Sequence, residues 1–379
     1  MEKRLKGSMH KFFMRFQANG SMSIIIYKIA YILITLIATN ILIFFASQNA
    51  EWIEKVYSQN IYLKISDFLS NVFALLPFSL TEFLIIAIAV SIIATLYVLI
   101  RNFSVTKFLN YLLNFLAIFS TAMFLFWCFW GINNFRMPIE SFLPFEKNKY
   151  TVNELEIACE ILLDKTNNLR EQMEEDIDGV TTTNQDYRKI LKSSSKAYDN
   201  ISELYDIIPS NGKIRPKPMI FSKVMSMLNY TGMYNPYTAE TNINIDEPIF
   251  NMPFTVCHEI AHLQGFPKEN EANFISFLTC INSDDIFFQY SGYLSGLIYC
   301  SNALYRENPE AYVKIKNNFS EGIIRDLTYT NEYWNNYKGF FAKVGENNNN
   351  VFLKFTNQPE GTKSYGLVVD LIISYLVQK

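Results

Sequence analysis

Apolar residues fall into three long uncharged runs in the first third of the chain, and into shorter periodic stripes after it. Ile29–Ala46 (IAYILITLIATNILIFFA), Phe83–Ile100 (FLIIAIAVSIIATLYVLI) and Tyr111–Trp130 (YLLNFLAIFSTAMFLFWCFW) contain no Asp, Glu, Lys or Arg. A run of about 18–20 apolar residues is long enough to cross a hydrocarbon core as a helix. Three of them so close together predict transmembrane helices rather than a globular core. Beyond Trp130 the pattern becomes that of a folded domain. Residues 151–175 place Leu155, Ala158, Ile161 and Leu162 on one face of a charged helix, and 187–208 repeat that character. SNGKIRPKP (210–218) reads as a turn, MYNPYTAETNINI (233–245) as an extended strand, and Asn347–Asn350 as a polar turn. Residues 286–305 are again uncharged, but Gln289, Ser291, Gly292, Ser295, Gly296, Ser301 and Asn302 call for internal partners. That segment is expected to be a buried helix rather than a fourth span.

Charge orients this arrangement. Lys3, Arg4, Lys6, Lys11, Arg15 and Lys28 precede the first run, and Arg101 and Lys107 flank the link between the second and third. Between the first and second runs, Lys55 and Lys64 are mixed with Glu51, Glu54, Asp67 and Glu82. The basic segments belong on the cytoplasmic side. Three crossings then put the chain after Trp130 outside the cell, with Trp127 and Trp130 expected at the outer interface. FFASQNAEW is a loose match to a cleavage site behind a long basic leader, so a retained anchor is expected. The resulting division is a membrane anchor over 1–130, with spans near 29–46, 83–100 and 111–130, and an extracytoplasmic domain over 131–379. A net charge of −3 gives no sign of nucleic-acid binding, and five cysteines without paired spacing do not form a disulfide framework.

The candidate chemistry lies in 251–273, NMPFTVCHEIAHLQGFPKENEAN. The chain has three histidines, His10, His258 and His262. The last two are four positions apart with Glu259 beside the first, so on a helix both imidazoles share one face. Such a pair can hold Zn²⁺ while the adjacent carboxylate handles a proton of bound water. Pro253 suits the first turn of that helix and Gly265 a left-handed stop. Phe254, Val256, Cys257, Ile260, Ala261 and Leu263 surround the pair with apolar residues. The helix should therefore be buried, where unpartnered imidazoles and a carboxylate would cost several kcal/mol.

His10 falls on the other side of the membrane, so the third ligand must be a carboxylate or a thiolate. Pro267 can start a second helix carrying Glu269, Glu271 and Asn273. Glu269 and Asn273 share a face, which pairs a ligand with a partner for an imidazole N–H. Glu269 is the expected ligand and Glu271 the alternative. Cys257 points about 100° away from His258 around the helix.

HEIAH followed by a turn and ENEAN resembles the gluzincin class of zinc metallopeptidases, where the third ligand is the Glu of a Glu-x-x-Ala-Asp/Asn helix. Glu269 follows His262 by only seven positions, a shorter reach than in many gluzincins. WGINNFRMP, NPYTAETNIN, FTVCHEIAHLQGFPKENEANF and SYGLVVDLI together resemble an uncharacterised family of Firmicute membrane proteins, a domain of unknown function. The resemblance implies three N-terminal transmembrane helices followed by a mainly helical α+β zincin-like metallopeptidase domain. The expected activity is zinc-dependent hydrolysis of peptides or proteins at the cell envelope. Zn²⁺ would sit on His258, His262 and Glu269, with Glu259 as general base. The 233–245 strand could take up an extended peptide, and Tyr237 or Tyr365 could stabilise an oxyanion. Besides substrate, the lipid bilayer is the expected partner. The competing expectation is a non-catalytic, zinc-stabilised sensor or interaction domain signalling through the spans. A peptidase cutting within the bilayer is disfavoured by Lys268, Glu269 and Glu271 so close behind the motif.

Overall fold

The computed structural model describes residues 21–147, 149–210 and 214–378; the side chains of residues 21, 362, 364 and 365 are outside that description. The basic leader, His10, part of the 210–218 turn and the Tyr365 side chain therefore lie outside the described residues.

Each uncharged run forms a helix longer than the run itself, because flanking polar residues continue the backbone pairing. These helices are α1 (Ser21–Gln48), α4 (Leu80–Arg101) and α5 (Val105–Phe129). Among the described residues they are the three helices long and apolar enough to cross a membrane. Between α1 and α4 lie α2 (Ala50–Trp52), a π-helical stretch Ile53–Tyr62, and α3 (Leu63–Phe73). The chain divides into two units, residues 1–49 with 84–132 and residues 50–83 with 133–379.

In the first unit α1 packs along α5 through polar contacts between otherwise apolar surfaces. Tyr31 and Thr121 hydroxyls meet at 2.8 Å, Thr35 donates to Ser120 at 2.9 Å, and Lys28 reaches Asn110 at 3.2 Å. Trp127 and Trp130 are buried, at 2% and 4% exposure, instead of half-wet. Both rings lie edge-on to Phe126, and Gly131 leaves room for the Trp127 indole.

The second unit is mainly helical with two small sheets. Its further elements are α6 (Val152–Arg170), β1 (Glu174–Glu175), β2 (Thr181–Thr182), α7 (Tyr187–Leu204), β3 (Lys217–Pro218), α8 (Ser222–Met227), β4 (Gly232–Asn235) and β5 (Glu240–Ile243). Then come α9 (Met252–Leu263), α10 (Glu269–Ile281), α11 (Ile286–Glu307), α12 (Pro309–Lys316), α13 (Glu321–Asn336), α14 (Phe340–Phe355) and α15 (Val368–Val377). Thr151 and Glu154 cap α6 reciprocally, satisfying amides that the first turn leaves free. The core gathers α6, α7, α9, α10, α11 and α15 around Leu162, Tyr198, Ile260, Phe274, Phe277, Leu297 and Ile372. Segment 286–305 is the buried helix α11, as its small residues indicate. A Cβ at Gly292 would sit 2.6 Å from Cys280, and one at Gly296 2.8 Å from the Phe277 ring. These glycines let α11 lie directly on α10.

Two stretches differ from their sequence reading. The single strand expected over 233–245 is a hairpin, because Asn235-Pro236-Tyr237 turns the chain and Ala239 takes φ +49°. β5 is central, parallel to β3 and antiparallel to β4, so that β3 and β4 are the two edges. Asn347–Asn350 lies inside α14 rather than in a turn. Asn disfavours helix by roughly 0.7 kcal/mol per residue, which apolar neighbours and the packing of Gly345 on Leu228 override.

Segment 50–83, read from sequence as part of the anchor, packs within the second unit. Arg136 shows why. It forms a buried two-pronged ion pair with Glu54, at 2.9 and 2.6 Å. Two membrane-length helices, α4 and α5, lie between 50–83 and the residues after 132, and an even number of crossings returns a chain to the side it left.

Candidate metal centre

The HEIAH stretch lies within α9, with Pro253 in its first turn and Gly265 at φ +84° just beyond its end. Glycine adopts that left-handed backbone without strain. A Cβ at Gly265 would also strike the Tyr62 ring at 2.8 Å. The turn reverses the chain into α10, whose first residue is Glu269. Gln358 fixes the junction, accepting from the Glu269 amide at 3.1 Å and donating to the Pro267 carbonyl at 3.0 Å.

His258 and His262 stack edge-on with ring centroids 4.7 Å apart. Glu269 Oε2 faces both, 3.1 Å from His258 Nε2 and 3.7 Å from His262 Nε2. The ligand atoms of these three residues lie within 4.8 Å of one another. Four ligands at about 2.0–2.2 Å in a tetrahedron stand roughly 3.3–3.6 Å apart, and the two observed separations bracket that spacing. Glu259 Oε2 is buried without a hydrogen-bond partner, and the buried Glu269 Oε2 meets the two imidazoles. Both residues are at most 6% exposed. Oxygens left so are costly unless a cation or a proton meets them, and the donor set suits zinc.

Electrostatics agree. Burial works to push the His262 imidazole down, but the Glu269 carboxylate more than offsets it and holds the ring up at about 9. Burial likewise works against the Glu269 charge, which His262 and His258 hold down at about 2. The two groups thus form a buried ion pair. Glu259 behaves otherwise: burial raises it above the usual carboxylate range despite both histidines. Glu247, buried nearby, is also raised, first by burial and further by Glu259.

Edge strand β4 passes directly over Glu259. The Tyr234 amide donates to that carboxylate, and a Cβ at Gly232 would lie 2.5 Å from its Cγ and Oε1. Tyr62, from the 50–83 segment, closes the end of α9. Its hydroxyl donates to the Leu263 carbonyl at 2.7 Å and meets the Tyr234 hydroxyl at 3.1 Å.

The expected residues therefore separate. His258, His262, Glu259 and Glu269 come together. Glu271 is turned to the Lys268 ammonium at 3.1 Å and the Ile139 amide at 3.4 Å. Asn273 is buried with its Nδ2 unpartnered, while the His262 Nδ1 meets the Phe266 carbonyl at 2.8 Å. Cys257 is turned toward Cys280. Tyr237 is on the β4–β5 turn, its amide bonded to Asn235 Oδ1.

Sequence reasoning missed Gly232, Tyr62, Arg136 and Tyr299. Tyr299 on α11 is raised by burial and further by the charge of Glu269, so its phenol and that carboxylate sense each other. Arg136 spans Glu54 and the Gly265 carbonyl, at 2.9 Å, and lies 4.0 Å over the Phe266 ring. Its place in WGINNFRMP was visible, but nothing in the pattern names its partners.

A family model described as "Protein of unknown function (DUF3810)" matches residues 57–373. No curated protein and no solved structure matches the chain. The zincin domain expected from HEIAH and ENEAN is not shown by these comparisons.

Proposed function

The chain belongs to the DUF3810 family, proteins of unknown function, and from that premise we propose that it is a membrane-anchored zinc-dependent peptidase. The observation that carries the reading is the convergence of two imidazoles and a carboxylate beside Glu259, whose Oε2 is buried without a hydrogen-bond partner. His258, His262 and Glu269 would hold the metal, which would supply Lewis acidity toward a carbonyl and acidify a water. Glu259 takes a proton at its free Oε2 and gives it to the leaving nitrogen. Its raised pKa suits a group that must hold that proton between the two transfers. β4, as a sheet edge over Glu259, offers backbone groups to an extended polypeptide, and the Tyr299 phenol, which feels the Glu269 charge, is the donor assigned to a developing oxyanion. The charge bias of the leader and the α4–α5 link supports an outward-facing domain, and with it substrates that are peptides or proteins at the cell envelope.

Zinc content tests the reading. The purified full-length parent should hold about one zinc per chain, Glu271→Gln should keep it, and Glu269→Gln should lose it. A parent without zinc, or full retention in Glu269→Gln, overturns the assignment.

One observation favours the rival, a zinc-stabilised sensor signalling through its spans. Glu240 of β5 accepts from the Leu80 and Thr81 amides, at 3.0 and 2.9 Å, and from Lys217 at 2.6 Å. The first turn of α4 is thus tied to the sheet beside the metal helix. A structural zinc site is closed by four protein ligands; among the described residues three converge here.

A further inference from the structure

The start of α4 is flanked by apolar side chains that no part of the second unit covers. Glu82, the last charged residue before the Phe83–Ile100 run, accepts from the Ile220 amide at 3.0 Å and the Phe221 amide at 2.8 Å. Lys217 binds the carbonyls of Phe73 and Phe78 at 2.8 and 3.0 Å. Two stretches, 68–75 and 220–224, are therefore fixed beside the point where the chain turns from polar to apolar.

Both present large hydrophobic groups. Phe68, Val72 and Leu75 are 66%, 42% and 82% exposed, and Ile220, Phe221 and Val224 are 66%, 51% and 50% exposed. A spacing of four puts Phe68 and Val72 on one face of α3, and Leu75 follows in the turn just beyond its end. On α8, Phe221 and Val224 are exposed while Ser222, Met225 and Ser226 are buried. Large apolar groups left exposed together on a folded unit mark an interaction surface. Lys64 and Lys223 lie exposed among these residues, and lysine can keep its ammonium at headgroup level while its stem follows apolar surface.

We propose that Phe68, Val72, Leu75, Ile220, Phe221 and Val224 form a collar that inserts into the interfacial layer of the bilayer entered by α4. Continuity with α4 selects lipid as the occupant: the Ile220 and Phe221 amides bond Glu82 in the first turn of the span, and Lys217 ties the Phe73 and Phe78 carbonyls beside them. The collar rests on α4 being a span and is independent of the metal reading.

The test uses the full-length chain in phosphatidylcholine–phosphatidylglycerol vesicles, with the photocrosslinker p-benzoylphenylalanine replacing Phe221, Leu75 or, as control, the fully exposed Ile177 between β1 and β2. Each variant is required to melt like the parent by circular dichroism, and two collar positions are used so that one failure to fold is not decisive. After irradiation, mass spectrometry should find phospholipid adducts at positions 221 and 75 and only background at 177. Absence of lipid adducts at both collar positions, equal labelling at 177, or chain-to-chain crosslinks in their place would overturn the proposal, the last by showing a second copy as the occupant.

Discussion

The Nδ1 atom of His262 stands 2.8 Å from the carbonyl oxygen of Phe266. That contact fixes the proton on Nδ1 and leaves Nε2 facing Glu269, which is how a partner behind the ligand selects its tautomer. The Phe266 carbonyl is held in turn by Arg136, through the Gly265 carbonyl and the Phe266 ring. Arg136→Lys retains the charge but loses the planar fork that serves Glu54 and Gly265 together. Zinc affinity should fall about 10–100-fold, read by competition with a chelator. Unchanged affinity would show that the turn holds without the clamp.

Gly232→Ala drives a methyl group into Glu259. Overpacking of this kind costs about 1–3 kcal/mol, so the thermal midpoint should drop. Zinc content should be unaffected and peptide hydrolysis should fall, because the displaced group is the base and not a ligand. Loss of zinc in this variant would contradict the separation of roles.

Zinc uptake should release protons. In the metal-free chain His262 is raised from its ordinary 6.5 to about 9 by Glu269. Its contribution to stability is complete below the ordinary value and is lost as pH rises through 9. Ligation needs the neutral ring, so loading at about pH 7.5 should liberate on the order of one proton per zinc, measured by a pH indicator in weak buffer. The His262→Gln chain should release none. Zinc binding to the parent without proton release would argue against the His262–Glu269 pair.

Tyr299→Phe should slow hydrolysis by roughly 10²-fold or more with zinc content unchanged, the scale of losing one donor to a developing oxyanion. Tyr237→Phe, on the hairpin turn, should be near neutral. The reverse ranking in a kcat measurement would return the role to Tyr237.

Much of this site was readable because it is local. The helical period alone puts His258, Glu259 and His262 together, and Gly265 announces the turn that brings Glu269 back. The three membrane-length helices were readable for the same reason, since hydropathy and length suffice. What was hidden depends on contacts across the chain. Nothing near His262 in sequence says that a backbone carbonyl, and not Asn273, meets its Nδ1. Glu54 and Tyr62 read as loop residues between two spans, yet they hold Arg136 and the end of α9. The hairpin at 233–245 looked like one strand because Thr, Asn and Ile alternate on both sides of the Pro236 turn. Asn347–Asn350 looked like a turn because propensity speaks before packing does.

The most direct test is hydrolysis of a peptide library by the zinc-loaded parent beside zinc-loaded Glu259→Gln. The account predicts equal zinc in both, cleavage by the parent, and a rate lower by about 10²–10⁴ in the variant, the contribution of a general base. A variant that binds zinc and cleaves as fast as the parent, or a zinc-loaded parent that cleaves nothing, would contradict it.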